Sequence, residues 1–104
     1  MTEAARRLHK LWNEHRAVPF PGGRSADPHL HEIALYDAWL EPIVSAALAS
    51  EGRLSAAHGA MLRQRREEGN QALWAAAGEA GDAARSHVAR LLRIEEALGA
   101  LPLD

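Results

Sequence analysis

Apolar residues recur at helical spacing along most of the chain, and the widest such stripe lies between residues 30 and 48. Leu30, Ile33, Tyr36, Leu40, Ile43, Val44 and Leu48 share one side of a 3.6-residue repeat, with Leu35 and Trp39 widening it. Asp27 and Pro28 predict the start, an N-cap followed by proline at the first helical position, where a missing N–H costs nothing. Pro42 falls in the interior, where it removes the bond to Ala38 and predicts a kink. Asp37 is the odd member of this helix, at the flank of the apolar arc beside Leu30, Val44 and Leu48. An arc covering more than half the circumference predicts a helix surrounded by others.

Upstream, a first helix is predicted from a Thr2 cap to about Arg16, with Ala5, Leu8, Leu11, Trp12 and His15 on one face. Residues 17–26 are excluded from helix, because Pro19 and Pro21 fix their own angles and hold Val18 and Phe20 extended. Phe20 between two prolines forms a stiff apolar hook. It plugs the end of a bundle or, on the functional reading, anchors a partner. Gly22-Gly23-Arg24 lacks the lysine, spacing and preceding strand of a phosphate loop.

Downstream, Gly52 predicts the end of the central helix and Ser55 the cap of a third. Residues 63–71, RQRREEGNQ, then interrupt the stripe between Leu62 and Leu73. Three arrangements fit: one long helix with a solvent-facing midsection, two helices broken at Gly69-Asn70, or arginines turned inward toward carboxylates such as Asp37. The first is the leading expectation, since neighbouring Arg–Glu pairs support long charged helices. Asp82 is expected to cap a last helix to about Leu98, with His87, Val88, Leu91, Ile94, Glu95 and Leu98 on one side. Leu101 and Leu103, beyond Gly99, fold back on the bundle or fray.

The elements predict one all-α domain over residues 1–104, a small four-helix bundle with mostly antiparallel neighbours because the later links are short. Composition supports this: 22 alanines pack helices closely but bury little area, so a monomer has a thin core. That thinness and the breadth of the central stripe predict a homodimer.

The net charge of −2 provides no field toward nucleic acid or anionic lipid, and no apolar run reaches membrane-spanning length. Eleven of the twelve basic residues are arginine, a habit of GC-rich genomes. Without cysteine there is no disulfide, thiolate ligand or thiol nucleophile. A cytoplasmic protein is expected. Residues 77–92 superficially suggest a helix-turn-helix, but the sites it would bury carry Asp82 or His87, so nucleic acid is not an expected partner.

Six histidines invite a metal reading, and His15, His58 and His87 project inward, with Asp37 and Glu95 as possible inner carboxylates. Yet neither Glu-x-x-His nor His-Glu-x-x-His occurs, and His29 and His31 point apart on a helix. Linear spacing therefore nominates no metal ligand, no cofactor and no catalytic residue. The candidate ligand-binding residues are Asp37, Arg65, Arg66 and Glu95, with His58 or His87 nearby, either as a register-fixing ion-pair network or as a polar pocket. The candidate partner-binding residues are Phe20 and Trp39. The expected function is association, with itself or with an unidentified protein partner, as an accessory, regulatory or self-assembling protein. The competing expectation is a small-ligand- or metal-binding bundle that uses the inner polar residues between helices, with an enzyme among its readings.

Overall fold

The computed structural model describes residues 2–21 and 29–103, with residue 29 described in its backbone alone. The expected Asp27–Pro28 cap, the Gly22–Gly23 turn and the side chain of His29 lie outside the described residues. Among the described residues five helices follow in order: α1 (Glu3–Arg16), α2 (His29–Ala49), α3 (Ala56–Glu68), α4 (Gln71–Ala80) and α5 (Asp82–Gly99). Among the described residues there are no strands, only an isolated bridge between Leu54 and Leu103.

The all-helical expectation holds, but the described residues form five helices and not four, because the predicted third element is two. Gly69 ends α3 with φ +80° and ψ −178°, a combination close to glycine-only, and its N–H donates to the Arg65 carbonyl at 3.2 Å. Nothing lies within 4 Å of where its Cβ would be, so the turn and not crowding requires glycine there. The two local caps are as the sequence predicts. Thr2 Oγ1 accepts from Ala5 N–H, and Ser55 Oγ accepts from His58 N–H, each at 3.1 Å. Asp82 differs: it is the first residue of α5, with Gly81 at the cap, and its carboxylate pairs with Arg85.

The core joins Leu8 of α1 with Ile33, Leu40, Ile43 and Val44 of α2 and Val88, Leu91, Ile94 and Leu98 of α5, all essentially inaccessible. Helix α2 runs unbroken through Pro42 and packs on α1, α4 and α5. Helix α5 packs on all four of the others, so the centre is shared between α2 and α5. At the turn after α2, a Cβ on Gly52 would collide with Ala5, so α1 rests directly on that turn. The tail folds back, burying Leu101 and placing Leu54 N–H 2.9 Å from the Pro102 carbonyl.

The smallest dimension is 17 Å, about two helix layers. Such thinness leaves part of the broad α2 stripe bare: Leu35 is 53% exposed and Trp74 of α4 is 43% exposed, while Trp39 is half-buried. No helix among the described residues is long and apolar enough to cross a membrane.

Candidate metal centre

Three helices each deliver one ligand-type side chain to a common point. His15 occupies the last turn of α1, on the face that also buries Leu8 and Trp12, so helical repeat alone turns it inward. His87 lies one turn from Ala84 and Leu91 on the buried stripe of α5. Asp37, at the flank of the α2 stripe, reaches both. Its Oδ2 is 2.7 Å from His87 Nε2 and 3.4 Å from His15 Nε2, and the three ligand atoms lie within 4.8 Å of one another. His15 and His87 are 5% and 2% exposed, whereas Asp37 is half-buried.

Aromatic contacts fix the two rings. Trp12 stacks on His15 at 5.8 Å, His15 and His87 approach at 4.7 Å, and Phe20 meets His87 edge-on at 5.0 Å. The proline-framed hook thus packs its aromatic ring on the cluster. Together with Val18, Arg16 and Glu41 it borders a cleft of about 240 Å³ that opens from the cluster toward solvent.

Proton positions follow from the partners. Burial pushes the Asp37 carboxyl up, but hydrogen bonds from His15 and His87, reinforced by their charge when protonated, outweigh it and hold Asp37 well below the usual carboxylate range. An ionised carboxylate only accepts, so each facing Nε2 donates. On the far side of His87, Nδ1 lies 3.4 Å from Arg90 Nη2 and accepts from it. His15 Nδ1 is buried with no partner among the described residues.

A second polar group lies elsewhere on α2 and α5. The Tyr36 hydroxyl donates to buried Glu95 Oε1 at 2.9 Å, and Arg65 Nε lies 3.9 Å from the same oxygen. The Arg65 guanidinium covers the Tyr36 ring at 4.6 Å and donates to the Gly69 carbonyl at 2.7 Å. Burial, then the charge of Glu95 and its hydrogen bond, push the Tyr36 hydroxyl far above its ordinary value, so it stays a neutral donor. Tyr36 and Arg65 border an open groove of about 810 Å³ between α2, α3 and α4, flanked by Leu35, Trp39 and Leu73.

The six candidate ligand-binding residues are therefore divided. Asp37 and His87 meet each other, and Arg65 and Glu95 meet each other. Arg66 lies against Gly99, and His58 sits half-buried in the first turn of α3. Trp39 lines the groove and Phe20 the cleft. His15 was the omission from that set. Its inward projection was legible, but its meeting with Asp37 depends on how α1 crosses α2 and α5. No family model, curated protein or solved structure matches this chain, so the geometry carries the functional reading.

Proposed function

We propose that the protein is a metal-binding helical bundle, holding one divalent transition-metal ion through His15 Nε2, Asp37 Oδ2 and His87 Nε2. The convergence of two imidazoles and a carboxylate from three helices carries this reading. Metal–ligand bonds of about 2.0–2.2 Å in tetrahedral or octahedral geometry separate neighbouring ligand atoms by about 2.8–3.6 Å. The 3.4 Å contact already fits, and the 2.7 Å contact needs to open by only a few tenths of an ångström. Two nitrogens and one oxygen favour zinc, iron(II), cobalt or manganese over calcium and magnesium, which prefer all-oxygen sets.

The surroundings favour an exchangeable ion over a permanent one. A metal on Nε2 moves each ring proton to Nδ1, where a ligating histidine ordinarily finds an acceptor. Here His87 Nδ1 faces Arg90, which must swing away, and His15 Nδ1 has no partner among the described residues. Outer-shell partners are worth about 10–100-fold in affinity, so binding weaker than in a closed structural zinc site is expected.

Titration of tag-free protein with zinc or cobalt, followed by elemental analysis after gel filtration, tests the reading. One equivalent should bind, and His15→Ala, Asp37→Ala and His87→Ala should each lose it while keeping helical circular dichroism. Wild-type protein that retains no metal, or variants that bind as well as wild type, would sink it.

A second reading, self-association, is supported by the bare flank of α2. A molecule about two helices thick presents Leu35 and Trp74 to solvent beside the groove, and a second copy supplies the missing layer with one patch used twice. Light scattering should then give a dimer that Leu35→Glu dissociates. A monomeric wild type at all concentrations removes this reading and leaves the metal centre standing.

A further inference from the structure

Resting on the metal-centre reading, we infer that the loaded centre binds a small carboxylate in the cleft beside it, as a further ligand to the ion. Three protein ligands leave at least one coordination position open, and a structural site would be closed. Trp12 and His15 are stacked on one side, Phe20 stands edge-on to His87 on another, and Asp37 is held by both histidines. The side left to an incoming group is the cleft, whose volume of about 240 Å³ suits a molecule of a few heavy atoms. For scale, a water occupies about 30 Å³ of liquid.

Charge selects the ligand. Asp37 and Glu41 are balanced by Arg16 at the cleft and Arg90 behind His87, so these four groups sum to zero. A divalent ion makes the same surroundings doubly positive, and an anion restores part of the balance. Arg16 offers the planar fork that pairs with a carboxylate, and Val18 and Phe20 offer an apolar wall for a short hydrocarbon tail. Glu41, one turn beyond Asp37 on α2, repels a dianion. A monocarboxylate with a short apolar tail satisfies all of these at once. Without the metal the pocket is neutral and holds such an anion poorly, so metal and anion bind cooperatively, each raising the affinity of the other by one common factor.

Cobalt(II)-loaded full-length protein tests this through its visible absorption, with acetate, propionate and butyrate as probes. Acetate should alter the cobalt bands saturably, propionate and butyrate at lower concentration, and acetate should tighten cobalt binding in a separate titration. Arg16→Gln should raise the acetate needed by about tenfold, the scale of one charge contact in a partly dry cleft, while cobalt in buffer alone binds no more weakly than to wild type, because a positive charge beside the ion has been removed. Glu41→Gln should lower it. A protein that binds one cobalt ion with bands unmoved by any of the three acids overturns this inference and leaves the metal reading intact. An equal response of wild type and Arg16→Gln overturns the assigned binding mode. Failure to bind cobalt at all overturns both.

Discussion

Helices α2 and α5 each contribute to two polar clusters, and the two are finished in different ways. In the first, Tyr36, Glu95 and Arg65 leave no buried side-chain polar atom without a partner: the phenol donates to one carboxylate oxygen, the guanidinium forms an ion pair with it, and the Gly69 carbonyl takes a guanidinium hydrogen. In the second, Asp37 stands between two histidines whose other ring nitrogens meet an arginine or nothing among the described residues. Burial alone does not separate them, since Glu95 and His87 are both almost inaccessible. Satisfaction does. A cluster whose polar atoms are matched fixes helix register, whereas one with spare ligand capacity beside a cleft retains something to bind.

Five substitutions test that difference. The largest effect is expected from Glu95→Ala, which strands the Tyr36 hydroxyl and the Arg65 guanidinium. It should cost about 3 kcal/mol in urea unfolding, with metal affinity unchanged. His87→Ala should act on the other property, lowering cobalt affinity at least about 100-fold, beyond what outer-shell changes cause, whatever its own cost in stability. If the two variants behaved alike in both assays, the division between the clusters would be lost. Next comes Gly69→Ala, which has room for its methyl group but must hold a glycine-only backbone angle, at about 2 kcal/mol by thermal or urea unfolding. Arg90→Gln should act in the opposite direction on the metal centre. An amide in place of the guanidinium offers His87 Nδ1 an acceptor, and cobalt should bind about tenfold tighter.

The smallest effect is in acid and concerns the metal-free protein. The folded Asp37 carboxyl titrates below its ordinary range, so the unfolded chain binds its proton more readily than the folded one does. Its stabilisation is complete above the unfolded value of about 4 and is lost as pH falls below it toward the folded value. Asp37→Asn should flatten the acid limb of melting temperature against pH. An unchanged acid limb would place the histidine contacts outside the stability balance.

Much of the fold was legible because it depends on local pattern. The caps at Thr2 and Ser55, the inward faces of α1 and α5 and the apolar arc of α2 all follow from residues within a few turns. The break at Gly69 was legible only as one of three options, since glycine is tolerated inside helices at about 1 kcal/mol and the arginine run fits solvent equally well. The candidate site was harder, because its members are joined by helix crossings and not by spacing. Tyr36 and Asp37 are neighbours in sequence, yet about 100° of helical rotation sends them to different clusters. His87 and Glu95 share the α5 stripe about 12 Å apart and therefore looked like one site.

The position of His15 gives the proposed centre a mechanical meaning as well. It lies in the helix nearest the start of the chain, and His87 in the helix nearest the end. An ion held by both is a reversible cross-link between those two helices, present in the folded state and released on unfolding, in a chain that has no cysteine for a disulfide. Unlike a disulfide, its strength follows supply: at a free-metal level one hundred times the dissociation constant, it adds about 2.7 kcal/mol. Resistance to unfolding would then track the metal around the protein.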